Sequence, residues 1–312
     1  MSDLMVVTGG AGFIGSHLCE RLLAKDYRVH VLDNLSFGYR DWLPPEVEFI
    51  QGDIQNMEDC RRVCEGARAV FHAAAMSRAG PSIEAVELCT SQNVVGTQNM
   101  LLAARDAGVK RFVYSGSSTF YGDQPGPHTE SMRPHFLNFY AASKYFGEEL
   151  CKLFDHTFGL ECVILRYFNV YGPRQPDSGA YALVLGIFLN RWVRGEVLQI
   201  HGTGEQRRDF VHVRDVADAN IAAMESSIRA EVYNVGAGVN TSIKELADLI
   251  SDRQEFAPRR RGDAMVTLAD ISRTTHDLAW KPAVSFEEGL AEMKALMKKE
   301  YGKPREALIT SG

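Results

Sequence analysis

The chain has 312 residues, of which 45% are hydrophobic and 24% are charged, and its formal net charge is −6. This composition is that of a soluble globular protein, and the negative charge argues against a nucleic-acid partner. The six cysteines form no Cys-x-x-Cys pair and lack the spacing of a zinc site, so we expect reduced thiols and no metal. Without a signal core or an apolar stretch of transmembrane length, the sequence predicts a cytoplasmic protein with no membrane partner.

The N-terminal segment predicts a strand, a glycine-rich turn and a helix. Residues 4–8 are apolar, and a helical pattern follows the turn over residues 16–24. Three glycines of the turn have separate functions, namely Gly9, Gly12 and Gly15. The first allows a tight turn, the second lets the backbone approach a pyrophosphate, and the third lets the helix pack on the strand. The segment is therefore typical of a dinucleotide-binding turn.

Two acidic residues follow the next two predicted strands. Asp33 comes directly after residues 28–32. A carboxylate there can accept hydrogen bonds from the adenosine ribose hydroxyls, and it repels the 2′-phosphate of NADP. We therefore predict NAD as the cofactor. Asp53 follows the third strand and could reach adenine, or could equally cap the helix that begins near Asn56.

Strands and helices continue to alternate along the chain. Strands are predicted over residues 48–51, 69–72, 112–115, 162–167, 197–200 and 232–235, and helices over residues 82–107, 181–194, 214–227 and 241–253. This alternation predicts an α/β fold, a Rossmann-like doubly wound parallel sheet with a smaller, interleaved C-terminal substrate-binding domain. We assign residues 1–168 and about 210–236 to the NAD-binding domain, and about 169–209 and 237–312 to the second domain.

Tyr140 and Lys144 lie four residues apart in the helical segment Tyr140-Ala-Ala-Ser-Lys144. Residues at this spacing share a face of a helix, so the phenol and the ammonium group point to the same place. A neighbouring cation favours the phenolate and lowers the pKa of a tyrosine, which makes it a usable acid or base. The same spacing also arises by chance in amphipathic helices, so its meaning depends on the other motifs.

The motifs occur in a characteristic order along residues 4–285. They are Thr8-Gly-Gly-Ala-Gly-Phe-Ile-Gly-Ser16, Asp33-Asn34, Gly52-Asp53-Ile54, His72-Ala-Ala-Ala75, Ser115-x-Ser117, Tyr140-x-x-x-Lys144, Leu165-Arg-Tyr-Phe-Asn169, Arg208-Asp-Phe-Val-His-Val-x-Asp215 and Arg260-x-Gly-Asp263. In this order they resemble the extended short-chain dehydrogenase/reductases, and within them the NAD-dependent nucleotide-sugar epimerase/dehydratase group. The resemblance implies that the second domain binds the nucleotide sugar.

The resemblance also implies which residues contact the cofactor and the substrate. It places NAD against Gly9, Gly12, Phe13, Ile14, Gly15, Asp33, Asn34, Asp53, Ile54, Asn93, Ser115, Tyr140, Lys144 and Tyr167. It places the nucleotide sugar against Arg78, Ser117, Ser118, Thr119, Asn169, Gln199, His201, Arg208, Arg260, Asp263 and Thr267. We interpret Arg207, beside Arg208, as solvated.

The chemistry of the group is a transient oxidation of the sugar at C4. The resemblance implies that Tyr140 takes the proton of the 4-hydroxyl while Lys144 holds the nicotinamide ribose, and that Ser117 shares the hydrogen bond at that oxygen. The alternative for Ser117 is a hydroxyl that only caps a turn. His72 and His212 have neither metal nor triad spacing, and we interpret both as structural.

The two residues after Ser117 distinguish the outcomes of this oxidation. The 4,6-dehydratases of the family carry Asp-Glu there and the decarboxylases carry Glu second, whereas this chain has Ser118 and Thr119. We therefore predict 4-epimerisation. The unusual stretch of residues 76–78 and the bulky Phe120 keep a dehydratase, including one that forms a 5,6-alkene, as the alternative. A non-catalytic NAD-binding regulator is a minor alternative, because such proteins usually lack the tyrosine or the lysine.

Thr267 carries the prediction of the sugar. In the family, the residue four positions after the Arg-x-Gly-Asp aspartate lines the pocket beside the C2 substituent, and a small residue there admits an acetamide. The predicted substrate is therefore a UDP-hexosamine, namely UDP-N-acetylglucosamine or its C4 epimer. Alternatively, Thr267 is a strand residue that faces elsewhere. The helices that carry Asn93 and Tyr140 resemble those that pair in family dimers, so we expect a homodimer.

Overall fold

The computed structural model describes residues 2–77, 79–179, 182–258 and 264–301. Its strands are β1 (Leu4–Thr8), β2 (Arg28–Asp33), β3 (Glu48–Gln51), β4 (Ala69–His72), β5 (Arg111–Ser117), β6 (Glu161–Tyr167), β7 (Asn169–Tyr171), β8 (Leu198–His201), β9 (Arg207–Arg208), β10 (Phe210–His212), β11 (Glu231–Val235), β12 (Thr241–Ser242) and β13 (Gln254–Ala257). Its α-helices are α1 (Phe13–Leu23), α2 (Met57–Cys64), α3 (Ala79–Glu84), α4 (Val86–Thr90), α5 (Gly96–Asp106), α6 (Phe139–Phe158), α7 (Val184–Val193), α8 (Val213–Glu225), α9 (Ile243–Ile250), α10 (Ser272–Leu278) and α11 (Phe286–Tyr301).

Seven strands form one parallel sheet in the order β3-β2-β1-β4-β5-β6-β11. The chain moves outward from β1 in one direction and then returns to β4 on its other side. At such a reversal the loops that leave the two strands diverge, and the carboxyl edge of the sheet opens into a crevice that binds ligands. The predicted α/β, Rossmann-like, doubly wound fold is therefore confirmed.

Side chains of β1 alternate between two hydrophobic layers because successive residues of a strand face opposite sides of the sheet. Met5 and Val7 pack in one cluster with residues of α1 and α8. Leu4 and Val6 pack in a second cluster with residues of α2, α5 and α6. Helices thus cover both faces of the sheet, which explains why the strand is apolar throughout rather than alternating.

A third cluster forms the core of the second domain. It combines Leu185 and Phe188 of α7, Ile200 of β8, Leu246 of α9 and Leu290 of α11. Two short parallel pairs, β7 with β10 and β8 with β13, lie beside it, together with the antiparallel pair of β9 and β12.

The C-terminal range that we assigned to the second domain does not pack there as a whole. Leu278 and Trp280 belong to the hydrophobic cluster of the large sheet. The Trp280 indole N–H donates to the carbonyl oxygen of Asp215 in α8, at 3.0 Å. The segment around residues 278–280 therefore packs with the NAD-binding domain.

The predicted helix over residues 82–107 is interrupted. It breaks at Ala85 into α3 and α4, and a π-helical segment at Ser91–Val95 joins α4 to α5. A π-segment inserts one extra residue into a helix and re-aims the side chains within it. Asn93 lies in this segment.

Three further boundaries differ from the sequence prediction. Strand β7, which follows the predicted strand over residues 162–167, was not predicted. Helix α9 starts after Ser242 rather than Thr241, because Ser242 and Glu245 form a capping box. Strand β13, at the end of the predicted helix over residues 241–253, was not predicted.

Arg207 is not merely solvated, contrary to prediction. Its Nε atom donates to the side-chain oxygen of Asn240 at 2.7 Å, and its guanidinium pairs with Glu245 at 3.1 Å. The side chain therefore ties β9 to the start of α9.

The two histidines have structural surroundings. His72 is buried, and its ring nitrogens bond the hydroxyls of Thr8 at 2.8 Å and Thr97 at 3.0 Å. His212 caps α8 by accepting from the Arg214 N–H at 3.3 Å. Burial lowers the pKa of His72 to about 3 and that of His212 to about 4, so both rings are neutral. In the described ranges, no helix has the length and apolarity that crossing a membrane requires.

Candidate active site

The glycine-rich turn joins β1 to α1 at the point where the strand order reverses. Gly9 has φ +68°, and a Cβ atom there would lie 2.8 Å from the backbone of Ala74. A Cβ on Gly15 would collide with the Gly9 carbonyl oxygen. Gly12 is the N-cap of α1, and no side chain of the described residues caps this helix. The first N–H groups of α1, those of Phe13 and Ile14, are therefore available to donate hydrogen bonds to a pyrophosphate.

Asp33 ends β2 beside this turn. Its carboxylate accepts hydrogen bonds from the backbone N–H groups of Ala11 at 3.0 Å and Leu35 at 2.8 Å. Burial raises the pKa of Asp33, and the two N–H donors oppose that rise. Each oxygen keeps acceptor capacity for a ribose hydroxyl. The predicted contact with the adenosine ribose is compatible with this arrangement and stays a prediction.

The other residues predicted near adenine are connected to one another. The Asn34 side chain donates to the Asp53 carboxylate at 2.8 Å. Asp53 does not cap α2, because the N-cap is Asn56, whose side chain accepts from the Glu58 N–H. Ile54 is a core residue whose side chain packs against Gly96, so any contact that it makes with the cofactor involves little of its side chain.

Helix α6 presents Tyr140 in its first turn and Lys144 one turn later. Two side chains hold the start of this helix. The Asn138 side chain accepts from the Ala141 N–H at 2.9 Å, and the Ser82 hydroxyl accepts from the Tyr140 N–H at 3.1 Å. The backbone that carries the phenol is therefore held on a rigid element, as general acid–base catalysis requires.

Lys144 is buried, with 3% of its surface exposed. Its Nζ atom lies 4.2 Å from the centre of the Tyr114 ring. Burial lowers the pKa of this lysine to about 8, against smaller opposing effects that include the charge of Glu148. The ammonium group is thus close to its ionisation point near neutral pH, which is unusual for a lysine and common at catalytic sites.

A chain of buried hydrogen bonds connects Asn93 to the catalytic helix. The Asn93 amide accepts from the Met76 N–H at 2.7 Å and donates to the Met76 carbonyl at 2.9 Å. It also donates to the Ser143 hydroxyl at 2.9 Å, which in turn donates to the Tyr140 carbonyl at 2.9 Å. These bonds make Asn93 a positioning residue, and its predicted contact with NAD stays a prediction. Ser143 was not predicted, although it lies inside the Tyr140-Lys144 motif.

The comparisons with known proteins agree with this geometry. Residues 5–236 match the model of the NAD dependent epimerase/dehydratase family. The chain belongs to that family. It is an enzyme, and its cofactor is NAD. The expected membership of the extended short-chain dehydrogenase/reductases is thereby confirmed.

Several relatives are named for reactions of UDP-sugars. A putative UDP-glucose 4-epimerase of Methanocaldococcus jannaschii is 35% identical over 304 residues, which cover 95% of this chain and 98% of the relative. The structure of UDP-glucose 4-epimerase from Thermotoga maritima with UDP-glucose has a TM-score of 0.92 and 35% identity, covering 95% of this chain and 99% of that one. The UDP-N-acetylglucosamine 4-epimerase of Methanobrevibacter ruminantium M1, in complex with UDP-N-acetylmuramic acid, has a TM-score of 0.91 and 34% identity, covering 96% and 100%.

The residues present fit the cofactor of the epimerase/dehydratase family. The glycine turn, with Gly9 against Ala74 and an uncapped α1, leaves room and N–H donors for a pyrophosphate. Asp33 ends the neighbouring strand, and Lys144 is a buried cation one helical turn from Tyr140. These groups would hold the two phosphates, the adenosine ribose and the nicotinamide ribose, respectively.

Ser117 ends β5 at the same edge of the sheet as the glycine turn. Its hydroxyl bonds the Thr119 hydroxyl at 2.9 Å and accepts from the Thr119 N–H at 3.3 Å, so it does cap the 3₁₀ turn Ser118–Tyr121. Capping leaves the hydroxyl one further hydrogen bond, so a catalytic contact stays a prediction. Phe120 does not line the crevice. It is 3% exposed and packs against Tyr121 and Phe168.

Ser115 and Tyr167 lie side by side on β5 and β6. Their hydroxyls are 3.0 Å apart, and the Tyr167 hydroxyl donates to the Asn220 side chain of α8 at 2.9 Å. Burial raises the pKa of Tyr167 to about 12. Both are nearly buried, and their predicted contacts with NAD are not tested by these bonds.

Asn169 and Thr267 meet across the predicted nucleotide-sugar site. The Asn169 side chain donates to the Thr267 hydroxyl at 2.9 Å and to the Asp209 carbonyl at 3.1 Å. The Asp209 N–H donates to the same Thr267 hydroxyl at 3.1 Å. Thr267 is therefore held by its hydroxyl beside another residue predicted to bind substrate, and its own contact with the sugar stays a prediction.

Asp209 lies next to the predicted substrate residues Arg208 and Thr267, and no role was predicted for it. Its carboxylate is buried and accepts from the N–H groups of Ala237, Gly238 and Ala269 at 2.6 to 3.1 Å. Burial raises its pKa to about 6, and the three N–H donors act against that rise. One carboxylate thus holds together the loops that follow β11 and Thr267. Its position next to Arg208, in the Arg-Asp-Phe motif, was the available signal.

The remaining described residues that are predicted to bind substrate lie on short strands of the second domain. Gln199 and His201 are alternate residues of β8 and share a face, while Leu198 and Ile200 face the core. Gln199 donates to Glu255 at 2.8 Å, and His201 bonds the Pro258 carbonyl at 3.0 Å. Arg208 donates to the Arg207 carbonyl at 2.9 Å. The predicted substrate contacts Arg78, Arg260 and Asp263 lie outside the described residues.

Proposed function

We propose that this enzyme is a UDP-sugar 4-epimerase that works through a transient 4-keto sugar. The observation that carries the proposal is the pairing, on one face of α6, of Tyr140 with a buried lysine whose pKa is lowered by burial to about 8. A cation one helical turn away favours the phenolate form, so Tyr140 can take a proton at neutral pH. The UDP-sugar 4-epimerases among the relatives support the same reaction.

In the proposed reaction, the Tyr140 oxygen takes the proton of the sugar 4-hydroxyl, and the Ser117 hydroxyl holds the same sugar oxygen. NAD, when bound, supplies the reversible uptake of a hydride from C4. Lys144 stays protonated and holds the ribose hydroxyls beside it. The keto sugar then rotates so that its opposite face receives the hydride at C4. Tyr140 returns its proton to the new 4-hydroxyl, so the reaction consumes neither the proton nor the hydride.

The loop after Ser117 supports epimerisation over dehydration. Elimination of water needs a base for the C5 proton and an acid for the departing 6-hydroxyl. The two residues that follow Ser117 are Ser118 and Thr119, whose hydroxyls have neither capacity at neutral pH. Phe120 is buried beneath this turn, so one of the two features that kept a dehydratase as the alternative loses its force.

For the sugar, we propose UDP-N-acetylglucosamine or its C4 epimer. Thr267 is small, and its hydroxyl is engaged by Asn169 and by the Asp209 N–H, so it leaves room beside itself for an acetamide. A relative named for UDP-N-acetylglucosamine supports this choice, while relatives named for UDP-glucose support the plain hexose as the second candidate.

The deciding experiment incubates the enzyme in D₂O with UDP-glucose, UDP-galactose, UDP-N-acetylglucosamine and UDP-N-acetylgalactosamine separately. Products are analysed by NMR and mass spectrometry, with Tyr140→Phe as the control. We expect inversion at C4 without deuterium incorporation and with the highest kcat/KM on the acetylated pair. A product that has lost water, or that carries deuterium at C5, would show that the enzyme is a dehydratase and not an epimerase. A higher kcat/KM on UDP-glucose and UDP-galactose than on the N-acetylated pair would contradict the proposed sugar.

We also propose that the enzyme is a homodimer that pairs through α6 and the neighbouring helix. Three apolar residues of α6, spaced by seven, are about half exposed: Phe139 at 51%, Phe146 at 50% and Leu153 at 57%. Leu88 and Val95, also spaced by seven, are exposed on the adjoining helical segment at 45% and 44%. A seven-residue apolar repeat on two adjacent helices fits a second copy of the same helices, packed as a four-helix bundle.

A further inference from the structure

A buried ion pair joins α6 to β6. Arg166 of β6 donates to both carboxylate oxygens of Glu148, at 3.1, 3.1 and 2.7 Å, and the two residues are 2% and 0% exposed. Burial raises the pKa of Glu148, and the bonds from Arg166 oppose that rise. A carboxylate held by a guanidinium in this way is a strong, directional contact.

Glu148 follows Lys144 by four residues on α6, so both side chains lie on one face of the helix. Without Arg166, this spacing would let the carboxylate pair with the Lys144 ammonium, because opposite charges at this separation attract each other. Arg166 draws the carboxylate the other way, toward β6. Lys144 instead has the Tyr114 ring 4.2 Å from its Nζ atom.

Arg166 also contacts the loop that carries Ser117. Its guanidinium carbon lies 3.4 Å from the centre of the Phe120 ring, and it donates to the Tyr121 hydroxyl at 3.1 Å. The Tyr121 hydroxyl donates in turn to the Asn234 side chain at 2.6 Å. One guanidinium therefore holds α6, the turn after Ser117 and the end of β11 in register.

We propose that Arg166 is a positioning residue: by holding the Glu148 carboxylate, it withholds that carboxylate from Lys144, so that the ammonium remains available to Tyr140 and the cofactor. This inference rests on the proposed roles of Tyr140 and Lys144. The separation of the Glu148 carboxylate from the Lys144 ammonium matters because a lysine already paired with a carboxylate no longer favours a neighbouring phenolate.

Several titratable groups surround the Lys144 ammonium and belong in any account of its pH dependence. They come from its own helix and from the strands and helix packed against it, namely Tyr140, Glu148 and Cys151 of α6, His72 of β4, Tyr114 of β5 and Cys89 of α4. His72 is neutral above pH 4, because burial lowers its pKa to about 3. Glu148 is therefore the surrounding group that brings an opposite charge at neutral pH.

The test measures the pH at which Tyr140 ionises in the holoenzyme, without substrate. Near-ultraviolet tyrosinate absorbance is titrated for each variant and for the same variant carrying Tyr140→Phe, and the difference isolates Tyr140. We expect Arg166→Met to raise the Tyr140 midpoint by about one pH unit and to lower kcat at pH 7 about tenfold, because Glu148 then pairs with Lys144. The double variant Glu148→Gln/Arg166→Met is expected to restore both values toward wild type.

The controls separate this role from a purely structural one. Glu149→Gln breaks the exposed pair of Glu149 with Lys152 on the same helix and is expected to move neither value. If Arg166→Met does not fold, Arg166→Lys replaces it, since it keeps the charge but loses the bidentate grip, and an intermediate upward shift is expected. The proposal would be overturned if Tyr140 ionised in Arg166→Met at the same pH as in the wild type. It would also be overturned if Glu148→Gln/Arg166→Met recovered neither the Tyr140 midpoint nor kcat relative to Arg166→Met. A wild type that turns over no UDP-sugar would contradict the proposed function and leave the midpoints interpretable.

Discussion

The Lys144 ammonium lies over the face of the Tyr114 ring, 4.2 Å from its centre. This contact partly offsets the cost of burying the cation, because the face of an aromatic ring carries negative charge. Tyr114 belongs to β5, the strand that ends in Ser117. Its contact with Lys144 therefore joins this strand to α6.

The pH dependence of turnover follows from this contact. Burial lowers the pKa of Lys144 from 10.5 to about 8, so the ammonium is lost as the pH rises through that value, and kcat/KM should fall along an alkaline limb there. Tyr114→Leu removes the ring and should move the limb to lower pH by up to about one unit, since a cation–π contact is worth about 0.5–2 kcal/mol. Tyr114→Phe keeps the ring and serves as the control. If the alkaline limb of kcat/KM lies at the same pH in Tyr114→Leu as in the wild type, the Tyr114 ring does not affect the pKa of Lys144.

Tyr140→Phe and Lys144→Met should abolish turnover without unfolding the protein. The phenylalanine has no proton to exchange, and the methionine fills the buried space without the charge, so kcat should fall by roughly a thousandfold in each. Steady-state kinetics and thermal unfolding measure the two properties. Tyr145→Phe, which removes a hydroxyl from the same helix, is the matched control. Activity of Tyr140→Phe within tenfold of wild type would remove the tyrosine from the mechanism.

NADP should bind on the order of a hundredfold more weakly than NAD. The Asp33 carboxylate, fixed by the Ala11 and Leu35 N–H groups, would face the 2′-phosphate with like charge. Asp33→Asn keeps an acceptor for the ribose but loses the charge, so it should reduce this preference at least tenfold. Calorimetry with both dinucleotides measures it, with the exposed Asp41→Asn as the control. Equal affinities in the wild type would refute the assignment of Asp33.

Thr267→Tyr should reduce turnover of the N-acetylated UDP-sugar at least tenfold more than that of the plain UDP-hexose. The tyrosine would fill the space that we assign to the acetamide, and steric exclusion acts on the larger substrate. Thr267→Val, which keeps the size but loses the bonds to Asn169 and to the Asp209 N–H, should affect both sugars equally. If Thr267→Tyr also affects both sugars equally, Thr267 does not gate the pocket.

Phe146→Glu should convert the proposed homodimer to a monomer. The side chain is 50% exposed at the middle of the apolar repeat on α6, so two glutamates would meet in the interface and lose hydration there. Analytical ultracentrifugation at micromolar concentration gives the mass. Leu249→Glu is the matched control, because Leu249 is 48% exposed on α9, away from this face. A monomeric wild type would end the proposal.

The sequence predicted those parts of the fold and site that depend on neighbouring residues. The dinucleotide turn with Gly9 and Gly15, the acid at the end of β2, and the pairing of Tyr140 with Lys144 are each encoded within about thirty residues of chain. Local patterns of glycine, charge and apolar spacing are therefore sufficient to find them, and the order of the motifs was sufficient to find the family.

The parts that were missed depend on residues far apart in the sequence. Asp209 joins two loops by accepting from N–H groups near residues 237 and 269, and Arg166 reaches Glu148 on another element. The break at Ala85 likewise reflects tertiary packing that overrides a continuous helical pattern. No local pattern distinguishes a buried, bonded aspartate or arginine from a solvated one, and for this reason Arg207 was also misjudged.

The position of β11 at the edge of the sheet constrains how the protein is made. Strand β11 pairs with β6, yet the chain between them builds β7, α7, β8, β9, β10 and α8 first. At ribosomal rates of about 5–20 residues per second, the unpaired edge of β6 stays open for several seconds after its synthesis. An open edge is a template for pairing with other chains. The nascent chain is therefore exposed to mispairing at β6 over this interval, and in the finished sheet the open edge has moved from β6 to β11.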